Sequence, residues 1–105
     1  MNIFELYISY ISWGNDGKHR PVLVFSLEND IASVYSVTSK YDNKSSSIQK
    51  EYFKITDWQQ AGLDKQSYVD TIDYFDVPVS LLEKDRFIGR LTKKDKERFI
   101  EFLTK

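Results

Sequence analysis

The sequence is short of the residues that most often fix a protein's chemistry. None of its 105 residues is cysteine, which excludes disulfide frameworks, thiolate zinc sites and cysteine nucleophiles. It contains a single histidine, so we expect no metal site and no other cofactor. The 15 basic and 16 acidic side chains almost cancel, which excludes a protein held to nucleic acid mainly by bulk positive charge. Any contact with RNA or DNA therefore has to be local.

Long hydrophobic runs are also missing. No apolar stretch approaches the roughly 20 residues that a membrane-spanning helix needs. Residues 1–13 are rich in apolar side chains, but they lack the basic start and the small-residue cleavage site of a signal peptide. We therefore expect a soluble, cytoplasmic protein with no membrane partner. The aspartates at 70, 73 and 76 alternate between the two faces of a strand, so they do not predict a metal site.

The residues that are present are typical of one small β-rich domain spanning 1–105. Hydrophobic residues make up 41% and aromatic residues 15% of the chain, enough for a single core at this length. Runs rich in β-branched and aromatic residues predict strands at 2–13, 20–25, 31–38, 52–55, 67–74 and 77–82. Turn residues predict reversals at 14–17 and 28–30, and a polar, serine-rich segment predicts a loop over 39–49.

Two segments carry helical signals. Residues 56–62 predict a single helical turn, with Thr56 as its cap. Thr92 followed by Asp95 is a capping pair that predicts the start of a C-terminal helix. The apolar residues of that helix that share one face, and that we expect to be buried, are Phe99, Ile100 and Leu103. The predicted fold class is α+β and mostly β: a small barrel of five to six mainly antiparallel strands with a C-terminal helix.

A cation and two hydroxyl groups flank the predicted hairpin at 28–30. Arg20 and Thr38 lie nine residues before and nine residues after Asn29, so an antiparallel pairing brings them together at the open end of the hairpin. A guanidinium can bind a phosphate through two hydrogen bonds. Thr38 and Ser39 can donate hydroxyl hydrogen bonds to the same phosphate, and Lys40 adds charge. The ordinary alternative is a surface arginine beside strand-ending hydroxyl residues.

The single histidine, His19, directly precedes Arg20. An imidazole can serve as a general acid or base near neutral pH, although a histidine exposed in a loop is the more common case. Successive strand residues point to opposite faces of a sheet. If both residues belong to the strand, their side chains cannot both face one substrate.

The sequence resembles the MazF/PemK-like toxins of bacterial type II toxin–antitoxin systems. The resemblance rests on Lys-His-Arg-Pro-Val-Leu-Val at 18–24, on Val-Thr-Ser at 37–39, on the segments 55–58 and 61–69, and on Ile-Gly-Arg-Leu-Thr at 88–92. It implies an SH3-like barrel, a homodimer and an antitoxin protein as partner. It also implies metal-independent cleavage of single-stranded RNA by the neighbouring ribose 2′-hydroxyl, leaving a cyclic phosphate and a 5′-hydroxyl.

The resemblance also implies roles for individual residues. Arg20 would engage the scissile phosphate and assist proton transfer, and Thr38 or Ser39 would stabilise charge on the phosphoryl oxygens. His19 is a further catalytic candidate. The loop at 14–19 would be a flap over the RNA channel. The residues predicted to bind RNA are Gly17, Lys18, Lys40 and Lys44.

A second function of a different class fits the same sequence. A catalytically inactive small barrel could bind a peptide or protein through exposed aromatic side chains. The nuclease needs Arg20 to converge with Thr38 or Ser39 in an accessible place, whereas a binding module does not need these residues.

Overall fold

The computed structural model describes the backbone of residues 1–105 and the side chains of all of them except Trp13. The strands are β1 (Glu5–Trp13), β2 (Asp16–Glu28), β3 (Ile31–Thr38), β4 (Tyr52–Ile55), β5 (Ser67–Pro78) and β6 (Arg86–Arg90). The helices are α1 (Ser46–Gln49), α2 (Val79–Leu82) and α3 (Lys93–Leu103). The strands form one antiparallel sheet in the order β4-β5-β3-β2-β1-β6. This confirms the α+β, mostly β class with a C-terminal helix, while closure of the sheet into a barrel stays a prediction.

The first three strands are joined by two tight hairpins. Trp13 pairs with Asp16, so Gly14 and Asn15 alone form the first turn, with Gly14 at a φ of 58°. Asn29 and Asp30 both have positive φ, which is typical of the turn whose twist matches a β-hairpin. The reversal predicted at 28–30 is confirmed. The predicted loop over 14–19 is mostly strand, because β2 begins at Asp16 and its first residues pair with the end of β1.

The later strands differ more from the sequence prediction. Strands β3 and β4 have the predicted limits, but β5 continues through Pro78 and 79–82 is the helix α2, so the strand predicted at 77–82 is wrong. Pro78 ends the strand because it has no N–H to donate to a neighbour. Strand β6 was not predicted, and the loop at 39–49 contains the short helix α1.

Both faces of the sheet are covered by apolar side chains. One cluster contains Leu23 from β2 and packs against Phe99 of α3. The other contains Val22 and Val24 from β2 and packs against Leu82 of α2. Because neighbouring residues of β2 enter different clusters, the strand alternates strictly here. The cluster membership therefore shows which residues of β2 share a face.

The C-terminal helix begins as predicted but turns a different face inward. The Thr92 hydroxyl accepts a hydrogen bond from the Asp95 N–H, which confirms the capping pair. Phe99 is fully buried, but Ile100 and Leu103 are 49% and 41% exposed, so their predicted burial is wrong. The buried face of α3 instead carries Asp95 and, one helical turn later, Phe99. Within the described residues, no helix is long and apolar enough to cross a membrane.

Candidate functional site

A cleft with a volume of about 400 Å³ lies where β2 and β3 meet β6 and the segment 62–65. We call it the basic cleft. Its apolar lining includes Ile8, Pro21 and Val37. Besides His19, its lining includes the lysine and arginine residues Lys18, Arg20, Lys40, Lys65 and Arg86.

The strand register explains how distant residues reach this cleft. Ile8 of β1 pairs with Pro21 of β2 on one side and with Arg86 of β6 on the other. Paired residues in a sheet point to the same face, so Arg86 joins a site formed mainly by the first two strands. The segment 62–65 lies close to β6, because an added Cβ at Gly62 would lie 2.5 Å from the Ile88 carbonyl oxygen. Gly62 also has a φ of 96°, which disfavours any other residue.

The charge of the cleft is opposite to that of the molecule. Among its described lining residues, five are lysine or arginine and one, Asp64, is a carboxylate, whereas the whole chain has a net charge of −1. A concave surface lined by one sign of charge concentrates its field and attracts counter-charged ligands. The cleft is therefore suited to an anion, and its hydroxyl groups suit a phosphate.

Six of the eight predicted site residues line the basic cleft. They are Lys18, His19, Arg20, Thr38, Ser39 and Lys40. The other two lie elsewhere: Gly17 is within the β1–β2 hairpin, and the backbone N–H of Lys44 donates to the Tyr41 carbonyl in the segment before α1.

The side chains of the central candidates divide between two faces of the sheet. His19 and Arg20 both belong to β2, so they alternate. Leu23 places His19 on the face covered by α3, and Val22 places Arg20 on the opposite face. The pairing of β2 with β3 ends at Val22–Ser36, and continuing it by two residues on each strand would bring Arg20 opposite Thr38. The meeting of Arg20 with Thr38 therefore stays a prediction.

The groups around Arg20 agree with its placement on the face of the sheet opposite α3. Burial, the largest effect, and the nearby Asp70 raise the pKa of the Tyr52 hydroxyl, and the positive charge of Arg20 opposes the rise. Arg20 is half-buried on this side of the sheet. The Thr38 hydroxyl accepts a hydrogen bond of 3.1 Å from the Lys40 N–H, and a hydroxyl that accepts can still donate its own proton to a ligand.

Sequence reasoning did not assign Lys65 and Arg86 to the site. Both depend on contacts between segments that are far apart in the chain, namely β6 with β1 and 62–65 with β6. The sign of these contacts in the sequence is the presence of Gly62 and Gly89, where two backbone segments approach closely. A glycine alone does not reveal which segment approaches it.

The described side chains include no group of three histidine or carboxylate residues that could hold a metal ion. A comparison of the sequence with models of protein families and with curated proteins finds no match.

Proposed function

We propose that the basic cleft binds the backbone of single-stranded RNA and that the protein is a metal-independent endoribonuclease. The observation that carries this proposal is the concentration of five lysine and arginine residues in a cleft of a protein whose net charge is −1. The resemblance to the MazF/PemK-like toxins supplies the reaction. On the same grounds we propose that the protein is a cytoplasmic toxin and a homodimer, with an antitoxin protein that occupies the cleft.

In the proposed reaction a ribose 2′-hydroxyl attacks the adjacent phosphorus and the bond to the 5′-oxygen breaks. A general base takes the proton from the 2′-hydroxyl, and a general acid protonates the departing 5′-oxygen. Arg20 and Thr38 bind the non-bridging oxygens, where negative charge grows in the transition state. His19, on the other face of β2, is the alternative group for proton transfer. The division between the two faces makes the roles of Arg20 and His19 separable by mutation.

The test compares variants on the two faces. Purified protein is incubated with a long single-stranded RNA in the presence of a chelator, and the new ends are mapped. We expect cyclic phosphate and 5′-hydroxyl ends from the wild type. We expect Arg20→Ala to lower the cleavage rate by about 100-fold or more, as for the loss of one transition-state donor. His19→Ala should cost less. Arg90→Ala, an exposed arginine of β6 outside the described lining of the cleft, is the matched control.

The outcomes separate the alternatives. Cleavage by Arg20→Ala at the wild-type rate would show that the site assignment is wrong. A larger loss with His19→Ala would make the imidazole the main group for proton transfer. A folded wild type that leaves RNA intact would favour the binding module, for which Ile72 and Tyr74 on β5 offer exposed apolar surface.

A further inference from the structure

An exposed aromatic ring borders the basic cleft. Tyr10 of β1 pairs with His19 of β2, and their rings meet edge to face with centroids 5.3 Å apart. His19 lines the cleft, so Tyr10 is its immediate neighbour. The Tyr10 side chain is nevertheless 55% exposed. A large aromatic side chain with this exposure has a surface free to contact a ligand.

The backbone beneath the ring is glycine. An added Cβ at Gly17 would lie 2.6 Å from Tyr10 Cζ and 2.9 Å from the Ile11 carbonyl oxygen. The phenol ring therefore lies across Gly17, where another side chain would displace it. Contacts with Gly17 and with the His19 ring restrict the orientation of Tyr10. The result is a supported, flat aromatic surface beside the basic cleft.

We propose that Tyr10 stacks a nucleobase of single-stranded RNA whose phosphate lies in the basic cleft. The inference rests on the proposed function and names the contact that this site makes with a base. Every base has a π face, so stacking tolerates different sequences while it fixes the position of the strand. In this arrangement the cleft supplies charge, Tyr10 holds the base, and Gly17 acts by leaving room for the ring.

Other tyrosines of the chain are less suited to this contact. Tyr41 and Tyr68 stack on each other with centroids 4.3 Å apart and planes 8° apart, so each covers a face of the other. Tyr74 is 60% exposed, but it packs edge-on against Phe25 in β2 and is not among the described lining residues of the cleft. Tyr74 is therefore a matched control for Tyr10.

The test measures binding of a short oligoribonucleotide with 2′-fluoro sugars, which removes the attacking hydroxyl and keeps bases and phosphates. Affinity is followed by the anisotropy of a terminal dye, and stacking by the fluorescence of a 2-aminopurine base placed in turn at each position. We expect Tyr10→Leu to weaken binding by about tenfold, because base–aromatic stacking contributes about 1–3 kcal/mol. Tyr10→Trp and Tyr74→Leu should bind within about twofold of the wild type. In the wild type, one position should show quenching of 2-aminopurine.

The result distinguishes this inference from the proposed function. If Arg86→Ala weakens binding while Tyr10→Leu does not, the cleft binds RNA and the stacking inference is wrong. If the wild type shows no affinity for the oligonucleotide, both are wrong. If Tyr10→Leu does not fold, the wild type is tested instead with a series of oligonucleotides, each of which lacks one base. Equal affinity for every one of them, with no quenching of 2-aminopurine at any position, would overturn the inference.

Discussion

Asp95 is a charged residue at the centre of the contact between α3 and the rest of the protein. It is fully buried. Its carboxylate accepts hydrogen bonds of 2.7 Å from the Thr56 hydroxyl, 2.8 Å from the Asp57 N–H and 2.7 Å from the Arg98 guanidinium. The Thr56 hydroxyl therefore donates to α3, and its predicted role as the cap of the turn at 56–62 stays a prediction. The carboxylate joins two segments that are almost forty residues apart in sequence.

The hydrogen bonds of Asp95 also determine how folding depends on pH. Burial, the largest single effect, raises the pKa of this carboxyl, but the hydrogen bonds from Asp57, Thr56 and Arg98 together outweigh it. The net result is a pKa below the usual 3.8. The unfolded chain therefore binds the proton more readily than the folded protein. The stabilisation is complete above the usual value and is lost as the pH falls through the folded-state pKa.

We predict that Asp95→Asn lowers the free energy of unfolding at neutral pH by about 2–4 kcal/mol, because a buried, charge-assisted network loses its acceptor charge. The difference from the wild type should shrink as the pH falls below the usual carboxyl value. Urea unfolding at a series of pH values measures both effects. Asp73→Asn, an exposed aspartate of β5, should stay within about 0.5 kcal/mol of the wild type. A pH-independent difference for Asp95→Asn would contradict this account.

At the scale of elements, β6 and the turn at 61–62 pack backbone against backbone. An added Cβ at Gly89 would lie 3.0 Å from the Ala61 carbonyl carbon and closer still to its oxygen. The contact holds the segment 62–65, and with it Lys65, against the basic cleft. A side chain at this position has to push one wall of the cleft outward.

We predict that Gly89→Ala lowers the free energy of unfolding by about 1–3 kcal/mol, as for other overpacked sites, and also weakens RNA binding. Val24→Ala, in the cluster on the other face of the sheet, should cost stability by creating a cavity but leave RNA binding at the wild-type level. Thermal unfolding and anisotropy measure the two effects. Equal RNA binding by the two variants would show that the contact with Gly89 does not shape the cleft.

The elements that could be predicted from the sequence are those whose signals are local. The limits of β3 and β4 could be predicted because runs of β-branched or aromatic residues end at clear turn or polar residues. Burial within α3 was predicted incorrectly, because apolar Ile100 and Leu103 looked like the core while the charged Asp95 lies inside it. A buried carboxylate is recognisable only when its partners are known, and those come from residues 56 and 57.

The candidate site likewise contains some residues that could be predicted from the sequence and others that could not. Arg20, Thr38 and their neighbours could be placed together because one hairpin connects them. Arg86 and Lys65 could not, since they reach the cleft through pairing of β6 with β1 and through the close approach at Gly89. The opposite directions of His19 and Arg20 followed from strand alternation once β2 was known to begin at Asp16.

For the whole molecule, the distribution of charge matters more than its sum. The chain is almost neutral, yet cations collect in the basic cleft. RNA should therefore bind through a few phosphates at one place and weakly elsewhere. The affinity should depend on salt to a limited and countable extent, because each neutralised phosphate of a single strand contributes about −0.7 to the log–log slope.

We predict a slope of about −2 to −3.5 for binding of the 2′-fluoro oligonucleotide, corresponding to roughly three to five phosphates. Arg86→Ala should make the slope shallower by about 0.7. Arg90→Ala, on the same strand but outside the described lining of the cleft, should leave it unchanged. Anisotropy titrations over a range of salt concentrations measure the slope. A slope near zero would mean that the cleft does not contact the phosphate backbone.

The pairing of β6 with β1 joins residues near the two ends of the chain, with Glu5 beside Arg90. Bringing together two strands so far apart in the chain costs more chain entropy than forming the tight hairpins that join β1, β2 and β3. Because β6 is one wall of the basic cleft, a chain with β6 detached has no complete site. A ligand that contacts this wall therefore binds the fully assembled protein more tightly and shifts the folding equilibrium towards it by mass action. Completion of the fold and occupancy of the cleft are thus thermodynamically linked.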